Sequence, residues 1–123
     1  MVAPYLVDLG TEEQKKEWLP RSCTGEIVTA IAMTEPSGGS DLANLTTRAT
    51  PSGSDWIIDG AKTFITNGGS ADLVAVAARP GPGPPAQGIR PLLLDAPLPC
   101  VGPGPIPDKL CTPGPAHPEP ALP

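Results

Sequence analysis

A mainly β fold is predicted for these 123 residues: a small antiparallel barrel or sandwich of about five to six short strands, preceded by one short helix and followed by a Pro-rich irregular tail. Three observations carry that expectation. Apolar, β-branched runs of strand length recur from Ile27 onward, separated by Gly, Asn and Asp turn signals. The one strong helix signal, Thr11–Leu19, comes before all of them. Finally, 4 of the 19 prolines lie in residues 1–79 and the other 15 in residues 80–123. Without amide donors, that last part cannot hold a regular ladder throughout.

The elements follow in chain order. Thr11 caps a helix and Gln14 answers it as a capping box. Glu12 and Glu13 sit at the positive end, Glu12–Lys16 is a favourable i,i+4 pair, and Pro20 is expected to stop the helix. Ile27–Met33 reads as a strand buried on at least one face, and Leu45–Thr50 as a second strand. Asp55–Ile58 and Ala61–Thr66 flank Asp59-Gly60, a favoured type I′ pair, and so read as a hairpin. Asn67-Gly68-Gly69 is a further turn, Leu73–Ala78 a buried strand, and Arg90–Asp95 a sixth candidate. Residues 1–20 are expected to be the remnant of a helical domain, 21–95 the β-domain, and 96–123 a Pro/Gly-rich disordered tail.

Composition excludes several classes of function. Thirteen acidic against eight basic residues give a net charge of −5, which opposes nucleic-acid phosphates and anionic membranes. Cys23, Cys100 and Cys111 form no C-x-x-C pair, and His117 stands among prolines. Neither a zinc site nor a disulfide framework is expected. No apolar run reaches the roughly 20 residues of a membrane span, and the N-terminus has no leader pattern. A cytoplasmic chain is expected.

Chemistry concentrates in Met33-Thr-Glu-Pro-Ser-Gly-Gly-Ser-Asp41. A Gly-rich turn carrying Thr34, Ser37 and Ser40 offers amides and hydroxyls to a phosphate or to the edge of a heterocycle. From these residues alone, an ordinary surface turn is the better reading. Neither nucleotide-binding glycine motif is present, and no Ser/His/Asp set can be drawn.

Ala30–Asp41 resembles the A-M-T-E-P-G-x-G-S-D signature of acyl-CoA dehydrogenases, and Lys62–Gly68 is similar to that family's second signature, K-x-[WF]-I-T-N-G. Gly10–Lys16 resembles the helix ending the family's N-terminal domain, and Ser70–Val74 its following strand. Gln87–Asp95 and Asp108–Leu110 resemble later segments in eroded form, and the match fails after Leu110.

The resemblance implies FAD as cofactor and an acyl-CoA thioester as substrate, with homo-oligomers in the full-length family and the mitochondrial matrix as a compartment if the parent is eukaryotic. It assigns Ile31, Ala32, Met33 and Thr34 to the flavin edge and Ser40 to the pyrophosphate or the thioester side. It places Phe64, where tryptophan is common, against the ring, with Ile65 beside it and Thr66 near N5. Ser37 replaces a usual glycine and would be strained at positive φ.

The family's catalytic glutamate belongs to a C-terminal helical domain that these residues do not include, and Glu35 is expected to be a structural, surface carboxylate. The chain is therefore expected to be a fragment of a flavin-dependent dehydrogenase without turnover of its own. The alternatives are a non-catalytic β interaction module or a fragment of an acyl-CoA oxidase-like or nitroalkane oxidase-like flavoprotein.

Overall fold

A computed structural model describes residues 2–81 and 88–96, with short strands at 102–103 and 120–122. The expected irregular tail lies largely outside these described residues.

Two helices, not one, lead the chain: α1, Ala3–Leu9, and α2, Glu12–Thr24. Thr11 and Gln14 form the capping box as expected. The helix does not stop at Pro20. It runs on to Gly25, whose left-handed backbone (φ 76°) closes it. Beyond the proline, Ser22 Oγ donates to the Trp18 carbonyl and Thr24 Oγ1 to that of Pro20. These bonds lie in the last turn, after the proline, and leave the Lys16 carbonyl without the amide that Pro20 lacks. The surface pair is Glu12 with Lys15 at 2.9 Å, one residue earlier than the expected Glu12–Lys16.

The mainly β reading holds, but the sheet is mixed. Its strands are β1 (Thr29–Ala32), β2 (Arg48–Ser52), β3 (Asp55–Ala61), β4 (Leu73–Pro80) and β5 (Arg90–Asp95), with short β6 (Gly102–Pro103) and β7 (Pro120–Leu122). β4 is the centre. β5 pairs with it antiparallel, while β1 and β2 both pair with it parallel. Thr29–Ala32 lies opposite Leu73–Val76, and Arg48–Ala49 lies opposite Arg79–Pro80. The amides of Leu73 and Arg79 donate to Val28 and Thr47 on that edge, and Ala96 donates to Asp72 on the other. β1 and β2 are thus one interrupted strand, and residues 33–47 leave the sheet between them.

The hairpin expected at Asp59-Gly60 is elsewhere. The turn is at Gly53-Ser54, where Gly53 has φ 65°, and β3 runs straight through Asp59-Gly60 to pair with β7. Gly60 serves a close approach: a Cβ there would lie 2.8 Å from Thr47 Cα. Ala61–Thr66 does not continue as a strand after Ala61.

Both faces of β4 are covered, which is why it reads as a continuous apolar run. Leu73 and Ala75 pack with Val2, Leu6, Trp18 and Ile27 beneath the helices. On the opposite face Val76 packs with Ala30, Ala32 and Ile65, with Val74 and Leu94 alongside. Each such Leu or Val contributes roughly 1.5–3 kcal/mol of burial. The second cluster lies beneath the Lys62–Gly68 segment.

Candidate functional site

The excursion of residues 33–47 begins with a tight turn. Glu35 and Gly38 exchange backbone hydrogen bonds of 2.9 and 3.0 Å across Pro36-Ser37, with Pro36 pre-set for the first central position. Ser37 is not strained. The left-handed non-glycine residues among those described are Phe64 and Asn67. Gly39 folds back so that a Cβ there would sit 3.5 Å from Thr34 Cγ2. A short 3-10 turn, Leu42–Asn44, with Asn44 bonded to the Asp41 carboxylate, returns the chain to β2.

Glu35 is not at the surface. Its side chain and that of Lys62 are 0% exposed, 3.0 Å apart. Glu35 also accepts from the Thr46 amide (2.6 Å), the Thr46 hydroxyl (2.5 Å) and the Thr47 amide (2.9 Å). Burial pushes its carboxyl up, but the bonds from Thr46 and Thr47 outweigh burial and hold it well below the usual carboxylate range. Burial lowers the Lys62 ammonium, and Glu35 draws it back upward. Lys62 Nζ gives a second bond, 3.1 Å, to the Met33 carbonyl.

The two signature segments therefore lie side by side. The Thr63 amide donates to the Thr34 carbonyl at 2.9 Å, next to the Lys62 bonds. Lys62, Thr63 and Ile65 are buried, whereas Phe64 between them is 60% exposed with φ 56°. A left-handed Phe costs roughly 1–2 kcal/mol relative to a relaxed backbone, and its ring gains little from burial here. After it, bonds from the Gly68 amide to the Ile65 carbonyl and the Ser70 amide to the Asn67 carbonyl close the turn around Asn67.

The residues singled out from sequence fall into three groups. Met33 and Thr34 are half-buried and lie beside the strand of residues leading to Phe64, with Thr66 half-buried two positions beyond. Ala32 and Ile65 are core, so their side chains support the site from beneath. Ile31 turns to the helix-side cluster on the other face, and Ser40 is exposed beyond the turn. Sequence reasoning missed the Glu35–Lys62 pair with its two threonines. The available signal was an opposite-charge pair placed at the ends of two apolar β segments. Among the described residues no group of three or more His, Cys, Asp or Glu could hold a metal, and no helix is long and apolar enough to cross a membrane.

Residues 30–120 match the family model for the acyl-CoA dehydrogenase middle domain. The long-chain specific acyl-CoA dehydrogenase of Rattus norvegicus mitochondria is 51% identical over 78 residues, covering 63% of this chain and 18% of that protein. The mitochondrial isobutyryl-CoA dehydrogenase of Dictyostelium discoideum is 38% identical over 106 residues, covering 85% of this chain and 26% of its own length. Among solved structures, an acyl-CoA dehydrogenase of Geobacillus kaustophilus superposes with a TM-score of 0.92 at 45% identity, covering 99% of this chain and 33% of the other. A glutaryl-CoA dehydrogenase of Mycobacterium smegmatis in complex with FADH2 gives a TM-score of 0.84 at 38% identity, covering 95% and 29%. The chain thus spans a third or less of the length of these relatives. On the matched middle domain and the shared fold, the chain belongs to the acyl-CoA dehydrogenase family.

Proposed function

We propose that the two signature segments form one wall of a flavin site, with FAD lying against Phe64, Met33 and Thr34. The observation that carries this reading is Phe64: an aromatic ring 60% exposed on a left-handed backbone, between residues that are buried. An exposed aromatic held in an unfavourable backbone state has no folding rationale, and a flat heterocycle needs such a face. The residues fit the group: Phe64 would supply a stacking surface, Thr34 and Thr66 hydroxyls, and the exposed Ser40 a hydroxyl for a phosphate or thioester. Ile31, Ala32 and Ile65 contribute through the main chain and the packing beneath. The FADH2 complex of the Mycobacterium smegmatis relative supports the same reading.

When bound, FAD supplies a hydride acceptor for oxidation of an acyl-CoA thioester. This chain's own residues would bind and orient the flavin and exclude water from one face of its ring. Among the described residues, no proton-abstracting group is assigned beside them. Glu35 is fully buried and its carboxylate already accepts four hydrogen bonds, so it is unavailable as a base. We therefore read the chain as the flavin-facing piece of a dehydrogenase, without turnover of its own. Flavin fluorescence anisotropy on adding the chain tests this reading: a saturable rise supports it, and no rise at millimolar chain refutes it.

A further inference from the structure

We propose that Glu35 and Lys62 act as a positioning pair that holds the Phe64 ring out and fixes it at a set distance from Met33 and Thr34. The inference deepens the flavin reading and rests on it only for its second experimental arm.

Three segments meet at the pair. Glu35 follows Thr34 directly, Thr46 and Thr47 lead into β2, and Lys62 stands two residues before Phe64. Lys62 Nζ bonds both the Glu35 carboxylate (3.0 Å) and the Met33 carbonyl (3.1 Å), tying one signature to the other through one atom. Thr46 holds the other carboxylate oxygen, Oε2, while the Thr47 amide shares Oε1 with Lys62. On the other flank, Ile65 is 2% exposed in the core. Phe64 is thus clamped on both sides, so its left-handed backbone cannot relax without breaking one anchor.

A buried ion pair is weak grounds for stability, because desolvating both charges offsets much of their attraction. Well-packed apolar residues could hold these segments together equally well. They would not fix direction: a pair of hydrogen bonds from one ammonium defines where Met33 and Glu35 sit to within tenths of an ångström. What the pair contributes beyond cohesion is therefore geometry at the face that Phe64 presents.

The chain has one Phe, and its two Met residues are Met1 and Met33, so both sides of the clamp can be labelled at unique internal sites. The test is 19F NMR of the chain carrying 4-fluorophenylalanine, with 13C-methyl methionine as a second label, in the parent and in Glu35→Gln, Lys62→Gln and Thr46→Val. The parent should give one narrow Phe64 resonance away from its denatured position. Glu35→Gln and Lys62→Gln should split or broaden it and move it at least halfway to that position, while urea unfolding stays cooperative. Thr46→Val, which removes one of the bonds to Glu35, should displace it less and in the same direction. Folded Glu35→Gln and Lys62→Gln chains with Phe64 and Met33 signals superimposable on the parent's would overturn the proposal. If both fail to fold, Thr46→Val decides: an unmoved Phe64 signal overturns it.

In the second arm, Glu35→Gln should weaken FAD binding about tenfold, equivalent to about 1.4 kcal/mol. Equal FAD affinity in parent and variant would also count against the pair. A parent that binds no FAD, with its labels displaced as expected in the variants, would sink the flavin reading alone and support the positioning role.

Discussion

At the scale of single residues, the Glu35–Lys62 pair concentrates the molecule's electrostatic risk. Glu35→Ala leaves a buried ammonium unpaired and the Thr46 and Thr47 amides without their acceptor. Removing one partner of such a pair costs about 3–5 kcal/mol, a large share of a small domain's stability. Urea unfolding should show it as a lower midpoint with an unchanged slope. The pH dependence has a definite sign. The Glu35 carboxyl is held below its unfolded value, so its contribution is complete above about pH 4.3 and is lost as the solution is acidified further. The fall in stability between pH 5 and pH 3 should therefore be steeper in the parent than in Glu35→Gln, and equal slopes would show that the carboxylate is not specially held.

At the scale of elements, the two glycines of the β2–β3 region separate a turn from a close approach. Gly53→Ala places a side chain at φ 65° with open space around it, so the cost is backbone strain of roughly 1–2 kcal/mol. Gly60→Ala drives a Cβ against the Thr47 backbone and should cost about 1–3 kcal/mol through displaced strands. Thermal unfolding of the two variants measures both, and a neutral Gly60→Ala would mean that β3 is not packed on Thr47. These positions also show what was legible in the sequence. β4 and β5 could be read because their apolar runs have strand length and clear boundaries, and the capping box of α2 because it is a local contact. The hairpin was misplaced because Asp-Gly carries the same composition whether it turns the chain or admits a neighbouring backbone. Helix α2 passed Pro20 because its stop is the left-handed Gly25 five residues on, a signal that the proline masked. The parallel pairing of β1 and β2 with β4 depends on contacts between distant residues, and no local pattern encodes it. In the site, the motif residues were readable, whereas the ion pair beneath them exists only once residues 35, 46 and 62 meet.

At the scale of the whole molecule, the proposed reading makes the chain one wall of a flavin site, and its relatives are three or more times its length. Positioning of substrate and a general base supply most of the acceleration in such chemistry, and the described residues offer neither. Acyl-CoA thioesters of several lengths, incubated with the chain, excess FAD and an electron-accepting dye, should react no faster than with free flavin. One wall alone would also leave most of a flavin ring in water. If about 4 kcal/mol of burial is forgone, the dissociation constant rises roughly a thousandfold, so FAD should be lost on gel filtration. The measurement that bears most directly on the central claim is a flavin anisotropy titration of the parent beside Phe64→Ala. The account predicts saturable binding in the micromolar to millimolar range for the parent, weakened at least about tenfold when the stacking face is removed. Equal binding by the two chains would contradict it by placing the flavin away from Phe64.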